Sequence, residues 1–486
     1  MSNATPLRVT LLQAPKWFIH CPPYNVALLT GNLRAQGHTV FPKDYDVAFY
    51  HAVSEEDKAL WNDENLSLWF DRAKVEELAA RYPEFLDWCV ADILADDPQV
   101  VGFSVKAGSK FFSLLLAQRL KAAAPAVFTI FGGPDMLFSP HLHLKGNRGV
   151  DAVCRQEADL SLPNFLAKFA AAGLRPQPEP GFLFCDADGN LVDAGDIKQI
   201  PDLNAVPFAD YRDFDFTQYL HPQSFAMVWS RGCINRCSYC SEALTFKRYR
   251  SVSAQRIHQE ITCIRDTSNV QRPLYLRLND SLLNGDLNQL AELTKLLTAE
   301  PFPGLHFDGF LRARPDMSDE LIHKLARAGL STVFIGLETG SQAVSERMHK
   351  NISLVEAVRI VKTCAAAGIK VNLSFIFGHP GETEAEFHRS LDYIRRLAPF
   401  ASVVFLNPLN LHYESLITRH PGRYGVELAD RVRWTADQGQ NTLEIREGRL
   451  KLAAALLGGK AQVFMDLGDT SEYYDPVAAA LAARAG

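Results

Sequence analysis

The stretch SRGCINRCSYC, residues 230–240, sets Cys233, Cys237 and Cys240 in a C-x3-C-x2-C spacing. Thiolates gathered this closely on a loop are ligands for zinc or for an iron–sulfur cluster, because both draw sulfur donors. A structural zinc site usually closes its shell with four protein ligands, and no second cysteine pair or His-x3-His lies at finger or ribbon spacing. A zinc-binding module is therefore the weaker reading. A four-iron cluster on three cysteines leaves one iron open, and an open iron implies chemistry rather than scaffolding. Nine cysteines in 486 residues are too sparse for a disulfide framework, so Cys21, Cys89, Cys154, Cys185, Cys263 and Cys364 read as reduced packing residues.

Such a loop needs a scaffold that delivers it at a strand end. From residue 225 strands and helices alternate: SFAMVWS, a helix at 253–267, PLYLRLND, a helix at 287–299, LHFDGFLR, a helix at 318–329, TVFIGLE, a helix at 353–367, KVNLSFIFG, a helix at 383–397 and SVVFLNPL. Six strand–helix repeats predict a partial (β/α)6 barrel over 225–410, with its chemistry at the carboxyl ends of the strands. Upstream, LRVTLLQ, HTVFPKDYD, PQVVGFSV and AVFTIFGGPD alternate with helical runs, which predicts a doubly wound, Rossmann-like α/β domain over 1–175. An acidic helical insertion at 50–96 carries Trp61, Trp69 and Trp88, read as a small satellite core. Residues 176–224 read as a hairpin turning at DADGN and then an extended linker, and 411–486 as a mixed, partly helical C-terminal domain ending in an Ala-rich helix.

Composition bounds the partners. Hydrophobic residues make up 47% of the chain, enough for packed cores, and a net charge of −6 offers no basic footprint for nucleic acid. No apolar run reaches the roughly 18 residues of a membrane span, and the N-terminus lacks a signal-peptide layout, so a cytoplasmic location is expected.

The cysteine motif, with an aromatic residue before its last cysteine and a place at the end of the first barrel strand, resembles the radical S-adenosylmethionine (SAM) superfamily. The resemblance implies a [4Fe-4S] cluster on Cys233, Cys237 and Cys240 whose open iron chelates SAM. It also implies reductive cleavage of SAM to a 5′-deoxyadenosyl radical that abstracts hydrogen from a small-molecule substrate, and an external electron donor such as flavodoxin or ferredoxin. FKRYRSVSAQRIHQEI is similar to the family's step into the first barrel helix. By the same resemblance Tyr239, with Asp280 and Ser281 in LRLNDSLLNGD, Arg314 in GFLRARPD, Glu338 in IGLETGS, and Ser374, Ile376 and Gly378 in NLSFIFGHPGET, are candidate SAM-binding residues.

The likeness extends upstream. PPYNVALLTGNLRAQGHTV, VVGFSV and IFGGPD resemble the cobalamin-binding domain of one branch of that superfamily, which implicates Ser104, Gly132 and Gly133. The D-x-H-x-x-G motif of histidine-ligated cobalamin is absent, because QAPKWFIHCPPY stands in its place. Cobalamin without histidine ligation is expected, with Trp17, Phe18 or His20 near the corrin face. The branch implies methylation of an unactivated carbon: one SAM methylates cob(I)alamin, a second yields the radical, and the substrate radical takes the methyl group. A carbon radical must meet that methyl before solvent quenches it, so the corrin is expected to cap the barrel mouth. Without cobalamin the barrel would serve ring formation, rearrangement or transfer of another SAM fragment. A different class altogether is a non-catalytic iron–sulfur protein for electron transfer or redox sensing, which leaves FIFGHPGET unexplained. NLHYESLITRH offers His412, Tyr413 and Glu414 as substrate-contact candidates.

Overall fold

LRVTLLQ forms the strand it predicts, β1 (Arg8–Gln13), and it runs parallel to β2 (Thr39–Asp44) and β3 (Val100–Ser104). In this computed structural model, which describes residues 5–137, 143–144, 147–196, 199–267, 273–412 and 415–463, β4 (Phe128–Gly132) and β5 (Ala152–Cys154) continue the parallel sheet. The hairpin β6 (Phe182–Cys185) and β7 (Leu191–Asp193) adds two antiparallel strands, giving the order β2-β1-β3-β4-β5-β6-β7. The segment read as a separate hairpin is thus the edge of the first sheet. It belongs to one of two compact units, which divide between Pro222 and Gln223.

Both faces of this sheet are covered, as parallel strands with period-two side chains require. Val9, Leu11, Val100 and Ile130 pack against α1 (Tyr24–Ala35) and α6 (Ala158–Ala171). On the other face Leu12, Val101, Phe103 and Phe131 pack against α2 (Tyr45–Ala52), α3 (Arg72–Arg81), α4 (Pro83–Ala95) and α5 (Lys110–Ala123). The satellite-core expectation is corrected here. Trp61 and Trp69 join this main core, with Trp61 Nε1 donating to Asp46 Oδ1 at 2.8 Å, because the insertion folds back as the layer beneath the sheet. Trp88 stays 48% exposed.

The second unit is a sheet of parallel strands that follow one another in sequence. They are β8 (Ser224–Met227), β11 (Leu274–Leu278), β12 (Leu305–Leu311), β13 (Leu330–Glu338), β14 (Lys370–Phe377), β15 (Val403–Pro408) and β16 (Ala461–Val463). β8 and β16 are its two edges, so the barrel is open. Between them β9 (Ser230–Arg231) and β10 (Arg250–Ser251) form a small antiparallel pair. The intervening helices are α7 (Ala254–Thr267), α8 (Leu287–Ala299), α9 (Asp319–Arg327), α10 (Leu354–Ala366) and α11 (Glu384–Leu397). They start where capping residues stop the preceding turns: Asp286, Ser318 and Ser353 accept first-turn N–H groups, and Thr383 with Glu386 forms a reciprocal capping box.

The described residues between 411 and 463 belong to the second unit rather than to a domain of their own. α12 (Leu443–Leu457) precedes β16, which pairs with β15, and Trp434 is buried among Leu409, Leu411, Ile417 and Val426. The Ala-rich terminal segment lies outside the described residues. Among those described, no helix is long and apolar enough to cross a membrane.

Candidate active site

Cys233, Cys237 and Cys240 sit on the loop leaving β9, and pairing of Ser230–Arg231 with Arg250–Ser251 ties the two ends of that loop together. Gly232 makes the tight closure possible: its φ is +81°, and a Cβ there would stand 2.8 Å from Arg248 O and 2.9 Å from Phe246 Cβ. The three thiols are free and half-buried. N–H groups point at all of them. Asn235 donates its backbone N–H to Cys233 Sγ at 3.4 Å and its Nδ2 to Cys237 Sγ at 3.5 Å, and Glu242 N–H reaches Cys240 Sγ at 3.5 Å. Such donors favour thiolate over thiol, whereas burial raises Cys233 and pushes Cys240 up to about 12; metal ligation would have to take the proton. Among the described residues no three His, Cys, Asp or Glu side chains converge on a single ion.

A segment more than a hundred residues downstream braces this loop. Ser238 N–H donates to Met348 O at 2.9 Å, Asn235 Nδ2 to Lys350 O at 2.5 Å, and Asn351 Nδ2 to Asn235 Oδ1 at 3.3 Å. His349 and Asn351 both adopt positive φ, +54° and +51°, which turns the backbone of this segment toward the loop. Lys350 then reaches Glu338 Oε1 at 2.8 Å and the Tyr239 hydroxyl at 3.2 Å. Burial works against its charge, but Glu338 and Cys237 more than offset that and hold its pKa above the ordinary lysine value. Glu338 has φ +68° at a register shift in β13, and Ser374 Oγ lies 3.5 Å from its other oxygen. Gly336 clears the space, since a Cβ there would collide with the Glu338 carboxylate.

The expected SAM residues divide. Tyr239, Glu338 and Ser374 are brought together around Lys350, and Ile376 packs with Tyr239 against the Leu409–Trp434 cluster. Gly378 (φ +88°) is covered: Arg446 fills the place a Cβ would take, and Asn441 Nδ2 donates to Gly378 O at 3.0 Å. Asp280 is committed elsewhere, accepting Trp229 N–H and Ser230 Oγ, each at 2.7 Å, as a brace for the strand entering the cysteine loop. Ser281 donates to Glu242 Oε2 at 2.5 Å. Arg314 is spent on Asn284 O, Gly285 O and Asp316. Burial lowers the Arg312 pKa from its ordinary value, with the nearby Cys237 and Cys233 acting in the opposite sense.

Sequence reading missed Lys350, Arg312, Asn235 and also His379. His379 is buried, 3.0 Å from Ser238 Oγ through Nε2 and 2.9 Å from Pro380 O through Nδ1. Burial pushes it down to about 4, so a neutral ring donates to the carbonyl and accepts from the serine. Tyr413 and Glu414 lie outside the described residues; burial drives His412 down to about 4.

Asp280 carries a pH signature. Burial pushes it up to about 7, against about 3.9 in an unfolded chain. The folded state keeps the proton in a window where the unfolded chain has lost it, so this residue's contribution to stability falls as pH rises from about 4 to about 7. Asp280→Asn is expected to flatten that part of the stability–pH curve, measured by urea unfolding at about pH 5 and about pH 8. An unchanged slope would refute it.

In the first unit the candidates gather at the carboxyl ends of the strands. Asp46 Oδ2 accepts the N–H groups of Trp17 and Phe18, each at 2.6 Å, and Lys106 Nζ donates to Trp17 O at 2.7 Å. His20 stacks on His221 with ring centroids 4.8 Å apart. Ser104 Oγ accepts from Asn25 Nδ2. Gly133 (φ +103°) serves a backbone crossing, since a Cβ would stand 2.5 Å from Val105 O, whereas at Gly132 the nearest atoms would be 3.8 Å away. Along the edge strand β2 runs a groove of about 630 Å³, where Lys43 is paired with Asp92 and Asp96 at 3.0 and 3.1 Å.

Comparison with known proteins is consistent with this geometry. Residues 227–394 match the family model described as the Radical SAM superfamily. An uncharacterized methyltransferase of Pyrococcus horikoshii is 25% identical over 305 residues, 62% of this chain and 65% of that protein. A tRNA-2-methylthio-N(6)-dimethylallyladenosine synthase of Syntrophomonas wolfei is 25% identical over 320 residues, 64% of each. The matched region therefore spans just under two thirds of these relatives. Among solved structures, the radical S-adenosylmethionine methyltransferase TsrM from Kitasatospora setae, with cobalamin and a [4Fe-4S] cluster bound, aligns with TM-score 0.70 and 16% identity over 98% of this chain and 100% of that one. The cobalamin-dependent S-adenosylmethionine radical enzyme OxsB aligns with TM-score 0.64 and 16% identity over 99% of this chain and 61% of that one. At these identities the likeness is one of fold.

Proposed function

We propose that this chain, a radical SAM enzyme by its matched domain, is a cobalamin-dependent methyltransferase acting on an unactivated carbon of a small biosynthetic precursor. The observation that carries the reading is the cysteine loop, three free thiols each met by an N–H donor, with a buried Lys350–Glu338 pair beside them. This donor set fits a [4Fe-4S] cluster on Cys233, Cys237 and Cys240. Lys350 and Arg312 are cations suited to the carboxylate of SAM, and Glu338 with Ser374 is suited to its ammonium or hydroxyl groups. Tyr239 and the apolar cluster behind it keep water from that side.

Cobalamin rests on the first unit. Carboxyl ends of parallel strands are where such sheets bind cofactors, and Ser104 with the unobstructed Gly132 fits a cofactor bearing a polar appendage. The D-x-H-x-x-G motif is absent after β1, so the reading is of cobalamin without histidine ligation, with the Trp17–Phe18 backbone held by Asp46. When bound, the cluster and cobalamin supply one-electron cleavage of SAM and a transferable methyl group. The balance is substrate C–H plus two SAM and two electrons from an external reductant, giving C–CH3, S-adenosylhomocysteine, methionine and 5′-deoxyadenosine. A tRNA substrate, as in the name of one relative, is disfavoured by the net charge of −6.

The test is anaerobic purification with hydroxocobalamin in the medium, followed by iron, sulfide and cobalt analysis. About four irons and about one cobalt per chain are expected. Iron without cobalt, even after reconstitution, would remove the methyl-transfer reading and leave a cobalamin-independent radical SAM enzyme.

A further inference from the structure

Gln13 ends β1 and is fully buried, yet neither its amide nitrogen nor its amide oxygen has a hydrogen-bond partner. A buried amide with both ends unmet is costly, and folded proteins almost always supply a partner, a water or a ligand. Its surroundings point to the last. By strand alternation Gln13 shares a face with Val9 and Leu11, which pack toward α1, and its register neighbours are Asp44 on β2 and Ser104 on β3.

Toward the carboxyl ends that face turns small and polar. Val100 and Ile130 are core residues, but two and four positions on from Val100 come Gly102 and Ser104, and two on from Ile130 comes Gly132. At Gly102 a Cβ would press on Leu11 Cδ2 at 2.8 Å. Asn25, in the first turn of α1, donates to Ser104 Oγ. A donor–acceptor amide in register with a hydroxyl, which in turn accepts from a second amide, thus marks this face at the β1/β3 switch point where the strand order reverses.

Building on the cobalamin reading, we propose that Gln13 is a recognition residue for the nucleotide tail of cobalamin, its amide hydrogen-bonding the tail where that reaches down this face beside Ser104. The flat corrin ring can cover the strand ends, but only a narrow appendage rich in hydrogen-bonding groups suits a flank position on β1 itself. An amide that both donates and accepts matches the phosphate, ribose and base edges of such a tail.

The experiment titrates the full-length protein, purified anaerobically and freed of corrinoid, with hydroxocobalamin and separately with cobinamide, which lacks the tail. Gln13→Leu is expected to weaken hydroxocobalamin binding by about 10- to 100-fold, to leave cobinamide affinity within about twofold, and to raise the melting temperature of the cofactor-free protein, because it removes an unpaired buried amide. Gln13→Asn, which withdraws the amide by one methylene, gives the same selective loss should the leucine variant misfold. Equal loss for both corrinoids, or unchanged hydroxocobalamin affinity, would overturn the assignment and leave Gln13 with a buried water. Absence of binding by the wild-type protein would instead remove the cobalamin reading on which the assignment rests.

Discussion

Cys237→Ala is expected to lower 5′-deoxyadenosine formation from SAM by more than about a thousandfold, in a chain that still folds. The loss is large because the cysteines act as a unit: three thiolates are the minimum for a cluster with one open iron, and no other described His, Cys, Asp or Glu groups with them as a metal ligand. The fold survives because the loop is held by other means. Its ends are pinned by β9 and β10, and its middle by Ser238 N–H on Met348 O and Asn235 Nδ2 on Lys350 O. Cys237 itself is half-buried, so removing its sulfur costs about 1 kcal/mol. The measurement pairs anaerobic product analysis with iron content and far-UV circular dichroism. A variant with native-like dichroism, little iron and no 5′-deoxyadenosine is the expected result; retained turnover would sink the radical SAM reading.

What the sequence disclosed was what lies close together along it. The three cysteines fall within one loop, and the strand and helix periods of both units are written in consecutive residues, so both sheets and the three-cysteine loop were legible. Contacts made across the fold were not. Lys350 reaches Tyr239 and Glu338 only because two positive-φ residues turn the backbone on either side of it, and nothing in MHKN advertises that turn. Arg312 and Arg314 are not distinguished by their sequence because both follow the same strand. Which of them stands near the cysteines depends on where β12 stops: Arg312 follows directly on the strand, and the chain beyond it carries Arg314 onto Asp316 and the carbonyls at 284–285. Asp280 looked like a ligand because a carboxylate at a strand end often is one, but its two oxygens close on Trp229 and Ser230. Gln13 passed unnoticed because its neighbours are apolar, and only burial without a partner marks it. The region after residue 410 looked unattached because its role, a seventh strand and the cover over Gly378, is tertiary.

Lys350→Met is expected to destabilise the protein by about 3–5 kcal/mol, the usual cost of leaving one member of a buried ion pair without its partner. Glu338 and Lys350 are 8% and 13% exposed at their side chains and 2.8 Å apart, so the remaining carboxylate would have no water to turn to, and Ser374 at 3.5 Å offers only a weak donor. The sign with pH comes from the lysine: its raised pKa gives the wild-type pair stability that persists until pH climbs through it, and Lys350→Met removes that dependence. Adding Glu338→Gln to Lys350→Met removes the stranded charge and should restore most of the lost unfolding free energy, while SAM cleavage stays impaired in both variants because the cation beside the cysteines is gone. Urea unfolding of the two singles and the double closes the cycle. A double variant no more stable than Lys350→Met would mean that the two groups are not coupled, and SAM cleavage at the wild-type rate in the double would detach the pair from the chemistry.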